Sequence, residues 1–365
     1  MKENLPTGSH DQNSAVLEVP SDKMVAKSMW TTISQLRLYT ILFVITIFVN
    51  KYVLSVLEFK YPTIFQGWQT LVGFIVMKML VAARYLKPML SEGDKKSDVI
   101  RWIPSMIFFV ISIYSGSKAL AELSVPVFLA IQNITIVFDY LSQMVISKKL
   151  TSAINYVMCM VIAMSSLGIV LTDPQFHNGG YVWICIHILS IGLLMLYSSM
   201  TKGRLKISAV EKLYCNYIYS IVILTPSSYL LGDALEAVRY PYLYFSKFYV
   251  GCCVSGVFGV LLNLYTIRLQ DKVSDGVMEF SRIHGLVKII TSIISLAVFN
   301  ATLTAEHAAC LLINHLAALA CEDTSCDQPV NKPRTTSEGS NGNMTNHNVL
   351  YNDYLKEKDN KDYTI

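Results

Sequence analysis

Charge is scarce in this chain: Asp, Glu, Lys and Arg make up 15% of its 365 residues, against 53% hydrophobic residues. An ordinary soluble domain carries about a quarter charged residues, so a soluble globular protein is excluded and a polytopic membrane protein is expected. A P-loop, a catalytic triad and a zinc-binding spacing are also missing, and no polar stretch is long enough to house a soluble active site. Cys159, Cys185, Cys215, Cys252, Cys253 and Cys310 sit inside apolar runs without metal-ligand or disulfide spacing, and they read as small packing residues. No cofactor and no metal are therefore expected. The net charge of +4 comes without a basic patch interleaved with aromatics, which argues against a nucleic-acid partner. Residues 1–34 have no short apolar core ahead of a small-residue cleavage site, so the first spanning helix is expected to serve as the targeting signal.

What the chain does have is a series of apolar runs. A bilayer core of about 30 Å asks for about 20 residues of helix. Ten stretches meet that length: Leu36–Leu57, Pro62–Leu86, Trp102–Leu123, Val125–Ile146, Ala153–Leu171, Tyr181–Met200, Val210–Leu231, Tyr242–Ile267, Val277–Phe299 and Leu303–Ala320. The last is interrupted by Glu306, His307, Asn314 and His315, which puts its full span in question. Residues 1–34 and 322–365 read as polar, disordered tails.

Lys87, Lys95, Lys96, Arg101, Lys148, Lys149, Lys202, Arg204, Lys206, Arg268 and Lys272 fall in alternate loops, while the intervening loops are nearly bare. The positive-inside bias places both termini in the cytosol and agrees with an even number of spans. Ten spans divide into two sets of five, and an odd number per set makes the second enter the membrane inverted. The expected architecture is an all-α polytopic membrane protein of about ten transmembrane helices, built as two inverted five-helix repeats over residues 35–171 and 172–321.

Ionisable and amide residues within these runs mark candidate sites, because a charge at the centre of a membrane helix costs roughly 2.5 to 3.5 kcal/mol on insertion scales. In the ninth run Ser281, His284, Lys288 and Ser292 share one helical face. Lys288 has no acidic residue at i±3 or i±4, which leaves an ammonium for an anion such as phosphate, or for Asp139 of the fourth run, whose mate is either Lys288 or Arg282. Glu279 and Arg282 are placed to neutralise each other, as are Lys118 and Glu122. Tyr214, Asn216 and Tyr217 of the seventh run combine aromatic surface with an amide, suited to a planar polar ligand or to ordinary packing. Asn50, Lys51 and Tyr52 line one end of a path or hold a snorkelling lysine. Gln66 and Gln69 share a face and serve either a ligand or interhelical bonds.

With these residues in view, the chain resembles the nucleotide-sugar transporters of the drug/metabolite transporter superfamily over about residues 36–310. The run Asn50-Lys51-Tyr52-Val53-Leu54-Ser55 resembles the Asn-Lys start of the GDP-mannose-transporter branch, and Tyr61-Pro62-Thr63-Ile64-Phe65-Gln66-Gly67-Trp68-Gln69-Thr70 resembles the transmembrane protein 241 group, a Golgi relative of that branch. In the GDP-mannose branch an F-Y-N-N motif contacts the base and a G-A-L-N-K motif contacts sugar and phosphate. Tyr214 and Asn216 match the first, with Cys215 and Tyr217 departing. Lys288 matches the second, with His284, Gly285 and Val287 departing.

The resemblance implies a multi-pass Golgi antiporter, not an enzyme, that imports UDP-N-acetylglucosamine in exchange for a nucleoside monophosphate by alternating access. GDP-mannose or another nucleotide sugar is the alternative substrate. Expected partners are those two ligands, the bilayer and a second copy in a homodimer. A different class, a membrane-embedded enzyme or accessory subunit of glycan synthesis, would need Asp139 or Glu279 as an acid or base.

Overall fold

A computed structural model describes residues 22–87, 95–147, 152–242, 245–273, 280–299 and 301–321 of the chain. Helix α1 runs Asp22–Lys51 and continues as one π-helical turn, Tyr52–Val56. It begins inside the stretch expected to be a disordered tail. No Pro or Gly follows Pro20 until Pro62, and an acidic residue at the first position suits the positive end of a helix. The chain then forms α2 Pro62–Ala82, α3 Lys95–Glu122, α4 Val125–Ile131, α5 Ile134–Ser147, α6 Ala153–Thr172 and α7 Asn178–Thr201. After these come α8 Ala209–Leu230, the short α9 Asp233–Ala237, α10 Ser246–Val273, α11 Phe280–Phe299 and α12 Ala305–Ala320. No strand occurs among the described residues.

Each of the ten apolar runs holds a helix, and among the described residues eight spans are long and apolar enough to cross a membrane. The two outside that group are α8, which is long but interrupted by polar residues, and α12, which is apolar but short. Local signals set several boundaries. Pro62 opens α2, where its missing N–H costs nothing. Ser208 and Glu211 form a reciprocal capping box on α8, and Gly232, at φ 81°, takes the left-handed turn after it. Thr304 caps α12 by accepting from the His307 N–H.

The fourth run is one span in length but two helices in structure. Gln132 and Asn133 leave the α-helical pattern, and the Asn133 N–H bonds to the Ala130 carbonyl three residues back, at 3.0 Å. All seven residues of α4 are buried. They form the centre of the largest apolar cluster, with Tyr39, Phe43, Leu120, Ile184, Ile188, Ile283 and Val287 around them. Helix α3 packs along α7, α6 along α12, α2 along α8, and α10 against both α1 and α2.

The outer surface is apolar and much of the interior is polar. Ile154, Val157, Met164, Leu167 and Leu171 make an exposed stripe on α6, as a lipid-facing helix requires. Inside, Ser115, Asn133, Ser220, Ser255, Lys288, Thr291, Ser295 and Asn314 are all buried. Lipid offers no hydrogen bonds, so these groups must find partners within the protein. Among the described residues, Ser105 Oγ alone is buried without one.

Links close both ends of the bundle. At the end bearing Lys202, Arg204 and Lys206, Lys95 Nζ meets Glu211 Oε1 at 3.0 Å, and Asp98 Oδ2 accepts from the Lys206 N–H at 2.8 Å. At the other end Thr63 donates to Asp233, and the buried Tyr240 hydroxyl donates to the Leu57 carbonyl. Burial pushes the Tyr240 hydroxyl up to about 12, so it remains a donor at neutral pH.

Candidate substrate-binding site

Lys288 lies near the middle of α11 and is 2% exposed. Its ammonium donates to Asn133 Oδ1 at 2.9 Å, and this is its only hydrogen bond among the described residues. Among the described residues no ion pair joins Lys288 to Asp139, whose Oδ2 accepts from Gln143 Nε2, one turn along α5, at 3.0 Å. A lysine has three donors and a full charge, so a single neutral amide satisfies it only in part.

A polar network extends from this pair. Asn133 Nδ2 donates to Asn314 Oδ1 at 3.0 Å and lies 3.4 Å from His315 Nδ1, while His315 Nε2 lies 3.1 Å from Ser292 Oγ. Asn314 Nδ2 reaches Ser166 Oγ at 2.9 Å, Ser165 Oγ at 3.0 Å and the Ile162 carbonyl at 3.2 Å. The cluster thus joins the α4–α5 break to α6, α11 and α12. It also explains the polar interruptions of the last run. Asn314 and His315 face helices rather than lipid, and His307 lies 3.1 Å from Thr172 Oγ1. Asn314→Ala is expected to lower stability by about 1 to 3 kcal/mol, because Asn133 and two serines lose a partner in apolar surroundings. Thermal unfolding in detergent measures this, and an unchanged midpoint would contradict it.

Gln132, the other residue of the break, places Nε2 3.5 Å from His187 Nε2, and His187 Nδ1 lies 2.8 Å from the Ser112 carbonyl. A methyl group on Gly116 would come within 2.7 Å of that imidazole, so α3 and α7 approach closely there because glycine leaves room. His187, His284 and His315 all lie within electrostatic reach of Lys288.

The other residues singled out from the sequence fall into separate groups. His284 Nδ1 lies 2.9 Å from the Tyr39 hydroxyl, with its ring parallel to Phe280. Gly285 faces Leu319 of α12, which a methyl group would touch at an ordinary 3.5 Å. Asn50 Oδ1 accepts from Ser255 Oγ, and Gln69 Nε2 donates to the same hydroxyl at 3.0 Å, tying α1, α2 and α10 together. Gln66 turns to α3 instead and donates to Ser117 Oγ. Both glutamines therefore serve interhelical bonds, toward different helices. Tyr52 lies on the π turn and is exposed.

On α8, Tyr214 stacks on Phe74 with 5.5 Å between centroids, and Lys78 Nζ sits 5.3 Å above its ring. The Tyr217 hydroxyl accepts from Asn263 Nδ2 at 3.1 Å, whereas Asn216 Oδ1 accepts from Trp102 Nε1 at 3.1 Å on α3. Tyr214 and Tyr217 share one apolar cluster, and Asn216 points away from it.

Two lysine readings are corrected, and one ion-pair reading falls on a residue outside those described. Lys51 does not snorkel. It is 7% exposed, and Nζ donates to the carbonyls of Leu120 at 2.9 Å, Leu123 at 2.9 Å and Ala121 at 3.3 Å, sealing the last turn of α3. Glu122 does not meet Lys118. Its carboxylate lies at the start of α7, 3.1 Å from His177 Nδ1, where the helix end favours negative charge. Glu279 lies outside the described residues, so its pairing with Arg282 cannot be followed.

No protein-family model matches the chain. It is 36% identical over 269 residues to the UDP-N-acetylglucosamine transporter TMEM241 homolog of Xenopus laevis, covering 74% of this chain and 89% of that protein. It is 35% identical over 267 residues to the UDP-N-acetylglucosamine transporter TMEM241 of Mus musculus, covering 73% and 88%. A more distant relative is the GDP-mannose transporter of Kluyveromyces lactis, 24% identical over 200 residues and covering 50% and 58%. With such identity over most of both chains, a helical bundle of membrane-spanning length and a charged residue buried at its centre, the chain belongs to the TMEM241 family of nucleotide-sugar transporters.

Proposed function

We propose that this protein carries UDP-N-acetylglucosamine across the Golgi membrane into the lumen and returns a nucleoside monophosphate, with Lys288 holding phosphate in both directions. The observation that carries this reading is the buried Lys288 ammonium with one neutral partner, a cation short of an anion at the middle of a membrane helix. Phosphate supplies the missing charge and the missing acceptors. The names of the relatives support the uridine sugar over GDP-mannose.

The reading includes ten spans in two inverted sets of five, with both termini cytosolic, so that the site lies at the interface of the repeats. Lys288, Asn133 and Asn314 are all buried, and a nucleotide sugar enters only when one end of the bundle opens. Exchange follows if each ligand stabilises the closed form that passes between the two openings. His284, Tyr214 and Tyr217 are secondary contacts in this scheme, as are Asn50 and Gln69. Asn216, Gln66, Gly285 and Tyr52 are assigned to structure.

Proteoliposomes preloaded with uridine monophosphate test the proposal against a panel of external UDP-, GDP- and CMP-sugars. UDP-N-acetylglucosamine is expected to exchange at least about tenfold faster than GDP-mannose, a difference of about 1.4 kcal/mol in transition-state free energy. Equal rates, or a preference for GDP-mannose, would sink the substrate assignment.

A further inference from the structure

The α4–α5 break and the Lys288 ammonium meet at one side chain. Asn133 is 1% exposed, lies outside regular helix in the middle of a span, and presents Oδ1 to Lys288 at 2.9 Å. Its amide nitrogen is held by Asn314 at 3.0 Å, with His315 at 3.4 Å. Both ends of the amide are thus engaged. The oxygen sits where an anionic oxygen would bind the ammonium best. The amide is neutral, so its hold on Lys288 is weaker than that of a charged oxygen, which forms hydrogen bonds roughly twice as strong. Irregular backbone at mid-membrane depth is tolerated where it borders a cavity, and a short departure from α-helix is a place where the chain can hinge.

We propose that Asn133 is a built-in stand-in for the ligand's phosphate: it occupies Lys288 in the empty carrier and yields it when the phosphate arrives. This rests on the assignment of Lys288 above and adds a competitor to it. With the site empty, the Asn133 bond ties the α4–α5 break to α11. With the site filled, that tie is replaced by a bond to the ligand, and the break is free to move. Asn133 therefore opposes binding, unlike a residue that touches the ligand or merely supports the fold.

Competition predicts opposite signs for two substitutions. In purified full-length protein titrated with UDP-N-acetylglucosamine, Asn133→Ala is expected to tighten binding about fivefold. Asn133→Asp, which gives Lys288 a permanent anion, is expected to weaken it at least about tenfold. A purely structural role would weaken binding in both variants. If Asn133→Ala gives no folded protein, Asn133→Ser, with a shorter side chain, carries the same expectation. Lys288→Met is titrated alongside. Loss of binding in Lys288→Met without a gain in Asn133→Ala overturns the stand-in and leaves the phosphate assignment in place. Absence of binding by the unaltered protein, or unchanged binding in Lys288→Met, overturns both.

Discussion

Replacing Lys288 by methionine is expected to lower nucleotide-sugar exchange about 100-fold while the melting temperature in detergent stays level or rises. Truncating one side of a buried, hydrogen-bonded charge pair costs about 2 to 5 kcal/mol of binding, and about 3 kcal/mol corresponds to about 100-fold. Stability moves the other way because the ammonium's only described hydrogen-bond partner is the neutral Asn133 amide. Methionine has a similar length without the desolvation penalty, and replacing buried charge by a well-packed apolar side chain is often neutral or stabilising. Exchange measured in proteoliposomes and unfolding followed in detergent separate the two effects. Exchange within a few-fold of the unaltered protein would remove Lys288 from the site, and a large fall in melting temperature would make it a structural residue.

The same substitution at Lys51 should have the opposite profile. Lys51 is also buried, but its ammonium serves the carbonyls of Leu120, Ala121 and Leu123 at the end of α3. Methionine there takes the Lys51 donor from three carbonyls, two of them buried and the third part-buried. An unmade buried hydrogen bond costs about 1 to 3 kcal/mol, so Lys51→Met is expected to lose at least about 3 kcal/mol and to unfold several degrees earlier. The α3–α4 turn would loosen with it, since Leu123 and α4 share the central apolar cluster. Ligand affinity per folded molecule should change little. A variant that melts normally but binds poorly would mean that Lys51 faces the ligand after all.

These two lysines show where local pattern reading succeeds and fails. Each of the ten apolar runs holds a helix, because bilayer thickness constrains length directly, whereas the short α9 lies between two of them. Lys288 was legible as a buried cation because nothing acidic lies one turn away. Its actual partner, Asn133, lies 155 residues away in sequence, and no periodicity links the two. Lys51 was misread for a related reason: a lysine near the end of a span commonly reaches water, and only the placement of α3 shows that carbonyls come to it instead.

Helix α12, doubted as a full span, is 16 residues long and falls outside the eight spans of crossing length, yet its polar residues have partners, which hydropathy does not record. The Gln132-Asn133 pair was a visible signal of the break, two adjacent amides in an apolar run. Tyr214 and Tyr217, three residues apart, were read as sharing a face and do share one apolar cluster, whereas the adjacent Asn216 is turned by about 100° per residue toward Trp102.

The polar edge of α12 has a consequence for biogenesis. Asn314 and His315 find their partners on α4–α5, α6 and α11, all synthesised earlier. Until α12 packs against them, Asn133 and Ser292 lack the amide and imidazole that partner them in the folded bundle. Docking of α12 is therefore the step that completes the hydrogen bonds of these mid-membrane polar groups, and the bundle is not fully satisfied inside until its last helix is in place.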